Sequence, residues 1–434
     1  MKLIMRNKAN FQKSQMLITL VATMSYNEKC KLDTWSKRTQ TKPILPARVA
    51  GKIALPVRHS LPVLRSFSEG GSEDGSEVEG PDPGLNGFLR IILQFWAVTG
   101  KLIANLRELP WKGVTRMVVL AGIDEAGFGP ILGPLVVSSS AFSLPNHFLT
   151  ADLWKLLRKS VGETRKHLAG RLLITDSKKA YSKQKGIGHL QRTVLACLEC
   201  LGKKPATLTE LLTLLSPDCI GRLGDYPWHK DIADYRLAVD ASDMAIATTV
   251  LKEDLASNGI ELLGLKSCCL DVAYYNKMVG SVKNKASVLF TAVSQLIKNV
   301  FDNSESDYVQ VIVDRQGGRT RYRRNLQRMF PDMELKILKE DQTTSSYELK
   351  ANGRQMRLHF VVGADSRFLP AALASMVSKY IRELLVDNMN RYFTGLHPDL
   401  RPTAGYWKDG LRFIEDLKKA PHVTFDSNQL IRCR

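Results

Sequence analysis

Residues 117–139 read MVVLAGIDEAGFGPILGPLVVSS, two apolar runs separated by a turn rich in glycine and proline. The runs Met117–Ile123 and Leu135–Ser139 each predict a strand, because short apolar runs bounded by turn residues are typical of strands buried in a sheet. Asp124 and Glu125 follow the first run directly. Charged side chains at the end of a buried strand contribute nothing to core packing, so they indicate a functional site.

The remainder of the C-terminal portion alternates between strand and helix patterns. Two further apolar runs, Val309–Val313 and His359–Val362, predict strands. Helical periodicity predicts helices over Asp152–Lys159, Lys183–Cys200, Asp240–Ser257, Ser287–Phe301 and Pro370–Asp387. Strands mixed with long helices predict an α/β fold. Residues 202–235 fit neither pattern, and we interpret them as an insertion.

The N-terminal portion, residues 1–116, has a different composition. Residues 68–86 read SEGGSEDGSEVEGPDPGLN, an acidic low-complexity stretch that buries too little apolar surface to offset the entropy of ordering. Residues 87–109 could form one amphipathic helix. We predict a basic, largely disordered extension over residues 1–116 and a folded domain with insertions over residues 117–434. Because Met117 stands immediately before the first strand, a true start near Met117 stays open as an alternative.

The charge of the chain indicates the kind of partner it binds. The formal net charge is +19, of which residues 1–116 contribute +9 and the remaining residues +10. A surplus of this size favours a polyanionic partner, so a nucleic acid, an anionic membrane surface and an acidic protein are all open at this point. The sequence has no run of 18 apolar residues, and we expect no membrane span.

The cysteines indicate a reducing environment. The chain has seven, and their scattered spacing does not resemble a disulfide framework. Cys197 and Cys200 form a CxxC pair inside an apolar helical pattern, which favours core packing over metal binding. We therefore expect a cytoplasmic protein.

Two more carboxylates occupy positions similar to that of the first acidic pair. Asp314 ends the run VQVIVD, and Asp365 follows VVGA, shortly before the most regular helical pattern in the chain. Carboxylates at strand ends can converge on one patch, where a cation has to offset their repulsion. Hard oxygen ligands favour Mg²⁺ or Mn²⁺, and a two-metal site can hydrolyse a phosphodiester. For Asp365 a helix-capping role stays open. The candidate metal ligands are Asp124, Glu125, Asp314 and Asp365.

Four motifs in one order are shared with a known family. Residues 122–137, GIDEAGFGPILGPLVV, match its opening motif, and residues 176–179, DSKK, match its DSK motif. Residues 364–383, ADSRFLPAALASMVSKYIRE, and the pair Gly405-Tyr406 match its two later motifs. The matches span nearly all of residues 117–434, and on them this part of the chain resembles ribonuclease HII.

The resemblance implies an RNase H-like fold, with a mixed central sheet flanked by helices and a helical C-terminal part. It implies that the four carboxylates are the catalytic ligands of two Mg²⁺ or Mn²⁺ ions. The reaction would cleave the phosphodiester on the 5′ side of a ribonucleotide and leave a 3′-hydroxyl and a 5′-phosphate. The partner would be an RNA–DNA hybrid or duplex DNA that contains ribonucleotides.

The resemblance also implies a set of substrate-binding residues. Backbone groups of Gly127, Phe128 and Gly129 would approach the 2′-hydroxyl, which distinguishes RNA from DNA. Tyr406 would stack near the RNA–DNA junction. Four residues would lie near the path of the phosphates: Ser177, Lys178, Lys379 and Arg382. For the basic residues among them, a solvated helix face stays open as an alternative.

The chain departs from the family pattern in two places. Phe128 stands where ribonuclease HII has arginine. The sister family, ribonuclease HIII, also lacks arginine there, and Tyr274–Leu289 faintly resembles one of its patterns, so the substrate preference could lie between the two. The stretch between Asp314 and Asp365 is longer than in the family and contains the basic run Arg319–Arg324. That run is either an extra phosphate clamp or a solvated helix start.

Three functions are therefore open. We favour an active metal nuclease, because a degenerate one usually loses a metal carboxylate and all four are present. The first alternative is a catalytically weak protein of the same fold that binds RNA–DNA hybrids. The second is another RNase H-like phosphoryl transferase, such as a recombinase, which would be expected to carry an appended DNA-binding domain; the sequence has no zinc-finger or clear helix-turn-helix signature. We expect a monomer.

Overall fold

The computed structural model describes residues 116–182, 184, 186–420 and 422–433. The predictions for residues 1–115, which are the disordered extension and the amphipathic helix over 87–109, lie outside the described residues.

Nine strands are present in the described residues. They are β1 (Met117–Ala126), β2 (Leu135–Pro145), β3 (Val161–Gly162), β4 (Leu172–Leu173), β5 (Glu261–Leu270), β6 (Tyr308–Asp314), β7 (Glu334–Glu340), β8 (Thr344–Ala351) and β9 (Arg354–Val361). Seven of them form one sheet in the order β5-β2-β1-β6-β9-β8-β7, and β3 pairs with β4 separately.

The large sheet is mixed. β1 is antiparallel to β2, and β2 is antiparallel to β5. β1, β6 and β9 run parallel to one another, whereas β8 and β7 add an antiparallel extension beside β9. The five strands β5-β2-β1-β6-β9 thus lie in the order third, second, first, fourth, fifth along the chain, with only the second reversed. The predicted α/β fold with a mixed central sheet is confirmed.

Helices cover both faces of the sheet. The α-helices are α1 (Leu153–Leu156), α2 (Ser177–Ala180), α3 (Gly188–Cys200), α4 (Leu208–Leu215), α5 (Ile220–Leu223), α6 (Ala241–Ser257), α7 (Val272–Val282), α8 (Lys285–Asp302), α9 (Arg323–Met329), α10 (Leu369–Leu396), α11 (Trp407–Lys419) and α12 (Ser427–Leu430). Alternate residues of β1 face the two layers: Val118 and Leu120 pack with α3, α6 and α10, whereas Val119 and Ile123 pack with α8. A third apolar cluster joins α11 to the C-terminal half of α10, which confirms the helical C-terminal part.

The start of α10 presses directly on the backbone of the first strand. A Cβ atom on Gly122 would lie 2.1 Å from the backbone nitrogen of Ala371. On the neighbouring strand, Ser140 Oγ donates a hydrogen bond to the carbonyl of Pro370 at 2.8 Å. A side chain cannot fit between strand and helix here, so glycine sets the distance at which α10 crosses the sheet.

Several elements differ from the sequence-based predictions. The helix predicted over Asp152–Lys159 is the short α1, with Asp152 as its N-cap. The strand β5 was not expected, because its sequence ELLGLKSCCL lacks a continuous apolar run; it lies at the sheet edge, where fewer side chains are buried. Residues 202–235 are an ordered part of the domain, since α4 packs its leucines into the core.

None of the helices in the described residues is long and apolar enough to cross a membrane. Cys197 is buried in the apolar core beside α10, as the sequence pattern favours.

Candidate functional site

Parallel strands bring the predicted carboxylates to one edge of the sheet. Ile123 of β1 lies opposite Val313 of β6, so the residues that follow them, Asp124 and Asp314, lie side by side. Asp365 lies in the 3₁₀ turn that follows β9, the parallel neighbour of β6. All three positions are therefore fixed by the register of adjacent strands, which are rigid supports for a site.

Hydrogen bonds from the start of α10 and its preceding turn hold these carboxylates. The backbone N–H of Ala364 donates to Asp314 Oδ1 at 2.8 Å. Ser378 Oγ of α10 donates to the backbone carbonyl of Asp124 at 2.9 Å. Asp124 itself is 6% exposed, and Glu125 N–H donates to its Oδ1 at 2.7 Å. The helix thus ties the ends of β1, β6 and β9 into one unit.

The carboxylates repel one another. Burial, followed by the charges of Glu125 and Asp314, raises the pKa of Asp124 well above its usual value. Burial and the charge of Asp314 raise the pKa of Glu125 to about 8, and Lys178 opposes that shift. Burial raises the pKa of Asp314, while hydrogen bonds from backbone N–H groups lower it. Burial and the charges of neighbouring carboxylates raise the pKa of Asp365 to about 6.

The DSKK segment supplies one cation and one further acid. Asp176 caps α2 and accepts a hydrogen bond from the N–H of Lys178 at 2.9 Å. Asp176 also contributes to the raised pKa of Asp365, after burial. Ser177 Oγ and Ser375 Oγ are hydrogen-bonded at 3.0 Å, which ties α2 to α10. Sequence reasoning used Asp176 only as part of a motif, whereas the structure places its charge beside the cluster.

The donor set suits a hard divalent cation. Among the described residues, no group of three or more histidine, cysteine, aspartate or glutamate side chains is already placed so that it could hold a metal ion. Mg²⁺ usually takes only one or two carboxylates and keeps several waters, so it does not require a complete cage of protein ligands. Burial and mutual repulsion raise the pKa values of Asp124 and Glu125, Lys178 opposes the shift of Glu125, and a divalent cation would supply further compensating charge.

The glycine loop, residues 127–129, lies beside this cluster. Gly127 has φ +94°, and a Cβ there would lie 2.5 Å from the carbonyl oxygen of Pro134, so only glycine fits. Gly129 is exposed, and a Cβ there would meet nothing within 4 Å. The half-buried ring of Phe128 packs against the core, with Lys285 Nζ 5.5 Å from the ring centroid. The loop is therefore tightly packed at Gly127 and open to solvent at Gly129.

Arg382 lies inside the protein and not on the path of a substrate. Its side chain is 1% exposed and donates to the carbonyls of Leu132 at 3.2 Å and Ala404 at 3.0 Å. Glu383 accepts from both Arg382, at 3.2 Å, and Lys379, at 2.7 Å. Neither the phosphate contact implied for Arg382 nor a solvated helix face fits this geometry. Arg382 is instead a positioning residue, which joins the segment after the glycine loop to the segment before Tyr406.

Tyr406 is open to a ligand. It is 52% exposed, and the Arg382 guanidinium lies 5.8 Å from its ring centroid. The preceding Gly405 has φ +80°, and its carbonyl accepts hydrogen bonds from Ile131 and Leu132 N–H groups. The ring is thereby held near the glycine loop.

Arg432 is a positioning residue that sequence reasoning missed. Its buried guanidinium donates to the carbonyls of Gly127 and Pro130, and its backbone N–H donates to Ile131 at 2.8 Å. Asn276 accepts from the N–H of Cys433 at 2.7 Å and donates to a neighbouring carbonyl. We call residues 431–433 the C-terminal strap. No local sequence pattern marks it, because its partners lie about three hundred residues earlier.

The raised pKa values predict how metal and pH act on stability. When the pKa of a carboxyl group is higher in the folded than in the unfolded state, ionisation of that group destabilises the folded protein. For Glu125 this loss of stability takes place between pH 4.5, the ordinary pKa of a glutamate, and about pH 8, its pKa in the folded protein. We expect the melting temperature of the metal-free protein to fall as the pH rises from 5 to 8. Mg²⁺ should raise it more at pH 8 than at pH 6, by roughly 2–4 °C for each kcal/mol of stabilisation.

Thermal scans in EDTA and in Mg²⁺ across this pH range would measure the effect. Glu125→Gln is the matched control, because it removes the titrating charge with little change of shape. The metal-free melting temperature of this variant should depend less on pH. A wild-type melting temperature that rises with pH in EDTA, or that ignores Mg²⁺ at pH 8, would contradict the prediction.

The fold and the acidic cluster together define an α/β domain with a mixed central sheet and a group of carboxylates at the ends of parallel strands. No family model matches the chain, and no curated protein matches its sequence. Solved structures similar to this chain include the ribonuclease HII of Archaeoglobus fulgidus, from its complex with PCNA, at 15% identity and a TM-score of 0.36 over 73% of this chain and 94% of that one. The ribonuclease H2 of Pyrococcus horikoshii OT3 is similar at 14% identity, a TM-score of 0.35, and 72% and 92% coverage.

A third similar structure is that of Bst-RNase HIII in complex with Mn²⁺. It has 15% identity and a TM-score of 0.34 over 69% of this chain and 63% of that one.

Proposed function

We propose that residues 117–434 are the catalytic domain of a metal-dependent endoribonuclease. Its substrate is the RNA strand of an RNA–DNA hybrid or a ribonucleotide embedded in duplex DNA. It hydrolyses the phosphodiester and leaves a 3′-hydroxyl and a 5′-phosphate. One observation carries the proposal: four carboxylates lie together at the ends of three parallel strands, namely Asp124, Glu125, Asp314 and Asp365. Their negative charges raise one another's pKa values.

The four carboxylates are the proposed ligands of two Mg²⁺ or Mn²⁺ ions. When bound, such ions supply an activated water and stabilise the leaving oxygen. The protein contributes a rigid platform, because Ser378 and Ala364 fix the backbone of Asp124 and the carboxylate of Asp314. Lys178 lies close enough to the carboxylates to shift their pKa values, which supports its proposed role as a cation beside the phosphate to be cut.

The glycine loop is proposed to recognise the 2′-hydroxyl of the ribose. Its outer side is open at Gly129, so the sugar–phosphate backbone of a substrate can approach its peptide groups. Tyr406 offers an exposed ring for stacking. Phe128 provides no charge, and the nearest cation above its ring is Lys285. The loop thus recognises the ribose through backbone groups and an apolar side chain.

Cleavage of two labelled duplexes tests the proposal. One duplex carries a single ribonucleotide, and the other pairs a full RNA strand with DNA. The full chain is incubated with each in Mg²⁺, in Mn²⁺ and in EDTA, and we expect metal-dependent cutting with 5′-phosphate ends. Cutting of the long hybrid alone would indicate a preference similar to that of ribonuclease HIII. Binding of both duplexes without cutting would refute the nuclease and support the hybrid-binding alternative.

A further inference from the structure

The segment between Asp314 and β9 carries an excess of positive charge. Residues 315–353 contain nine lysine and arginine residues and five acidic residues, a net charge of +4. They form α9 and the β7–β8 hairpin, which extend the sheet beyond the strands that carry the carboxylates. The proposed hydrolysis uses none of these basic residues, so their concentration in one segment needs another explanation.

Two aromatic contacts fix how this segment presents its arginines. Tyr322 is 0% exposed and stacks on Phe360 of β9, with ring centroids 3.7 Å apart. Its N–H donates to Tyr347 Oη at 2.8 Å. Arg319 turns inward, with its guanidinium 5.6 Å from the ring centroids of both Phe290 and Tyr322. The run Arg319–Arg324 therefore contains two kinds of residue. Tyr322 and Arg319 pack against aromatic rings of the protein, and the other arginines do not.

The other arginines of this run, and Arg328 on the helix that follows, are all exposed to solvent. We call this group the arginine face, and it consists of Arg321, Arg323, Arg324 and Arg328. Leu326 is buried, so α9 packs through its other side. Within the residues that the structure describes, none of the four has a carboxylate oxygen within ion-pair distance, whereas Arg357, Arg391 and Arg412 all do.

This arrangement has an energetic cost in the free protein. Arg324 and Arg328 are four residues apart on a helix, a spacing at which like charges repel and destabilise the helix. The segment retains this repulsion in a helix of only seven residues. A ligand with several regularly spaced negative charges would remove it.

The arginine face is attached to the same strands as the carboxylates. The segment begins directly after Asp314, and Arg315 N–H donates to the carbonyl of Val361 at 3.0 Å. Ser345 Oγ donates to the carbonyl of Thr320 at 2.6 Å, just before the face begins. The face and the cutting site therefore keep a fixed relation, as needed if one continuous duplex is to contact both.

We propose that the arginine face binds backbone phosphates of the duplex outside the phosphodiester that is cut. This inference rests on the proposed function and extends its substrate footprint. Guanidinium groups suit phosphates because their planar N–H donors match phosphate oxygens in pairs. Contacts of this kind strengthen binding without sequence preference and make it depend on salt.

Neutralising the arginine face tests the inference. The variant combines Arg321→Gln, Arg323→Gln, Arg324→Gln and Arg328→Gln. Its dissociation constant for a 30-base-pair RNA–DNA hybrid is measured in EDTA, where no strand is cut, at salt concentrations between 50 and 200 mM. We expect binding to weaken roughly 10-fold or more and the slope of log K against log salt to fall by up to about 0.9 for each lost contact. Its maximal cleavage rate at saturating hybrid should stay within about 2-fold of that of the wild type.

The control removes the same charge from exposed residues in other parts of the domain. Its substitutions are Arg158→Gln, Lys203→Gln, Lys230→Gln and Lys252→Gln. This control should change the slope much less. A 10-base-pair hybrid gives a second control, because a duplex that fills only the cutting site should bind both variants and the wild type alike.

Each outcome separates this inference from the proposed function. Equal slopes for the arginine variant and the control variant would overturn the arginine face, even if the wild type cuts hybrids. A lower slope for the arginine variant alone would support it, even if the wild type binds hybrids and cuts none. A loss of binding that is equally large with the short duplex would also overturn it, since the arginines would then act at the cutting site itself.

Discussion

Asp124→Asn should lower the rate of hybrid cleavage by about 10³-fold or more, equivalent to roughly 4 kcal/mol of transition-state stabilisation. The amide keeps the size of the side chain but removes a charge from the centre of the carboxylate cluster. The same change should leave the melting temperature of the metal-free protein unchanged or higher, because burial and the neighbouring charges of Glu125 and Asp314 disfavour the ionised form of Asp124. A catalytic defect without a stability defect is the expected signature.

Asp271→Asn is the matched control for this experiment. Asp271 is buried too, but it accepts hydrogen bonds from Arg222 and Tyr226, each at 2.6 Å. Loss of its charge leaves the half-buried Arg222 guanidinium and the Tyr226 hydroxyl without their charged acceptor, so the melting temperature should fall while the cleavage rate per folded molecule is retained. If Asp124→Asn kept more than a tenth of the activity, or lost stability as Asp271→Asn does, Asp124 would not be a metal ligand.

Gly122→Ala should destabilise the fold by about 3 kcal/mol or more, which corresponds to a fall of roughly 6–12 °C in melting temperature. The added methyl group would lie 2.1 Å from backbone atoms of Pro370 and Ala371. Backbone atoms cannot rotate away as a side chain can, so either the strand or the start of α10 has to shift. Because Asp124 follows two residues later, cleavage should fall as well.

Gly264→Ala provides the comparison for this substitution. Gly264 also lies in a strand, and a Cβ there would meet nothing within 4 Å. Its melting temperature should differ from that of the wild type by no more than a few degrees. Thermal scans and chemical unfolding of both variants measure the difference. Similar stabilities would show that α10 can move away from β1, and that the close approach does not position the acidic cluster.

The strands and the acidic residues at their ends could be predicted from the sequence, because both follow from the order of apolar and charged residues within a few positions. Strand β1 could be predicted because it is a continuous apolar run, and the acidic pair at its end stands out against that run. The strand before Asp314 was visible for the same reason. Parallel pairing of these strands then brings Asp124 and Asp314 together. These features need only short-range information and the rules of sheet topology.

Features that depend on distant contacts could not be predicted. Arg382 looked like one basic residue on a helix, but its environment consists of carbonyl groups from residues 132 and 404. Tyr322 looked like an aromatic residue among surface arginines, yet Phe360 and Tyr347 enclose it. Burial at these positions depends on which elements pack together, and no local periodicity encodes that.

The C-terminal strap also sets an order of events during protein synthesis. Arg432 and the glycine loop carbonyl of Gly127 that it holds are 305 residues apart. At about 5–20 residues per second, a ribosome adds Arg432 roughly 15–60 s after Gly127. A nascent chain thus carries its first acidic residues, Asp124 and Glu125, well before Arg432 can hold its glycine loop in place.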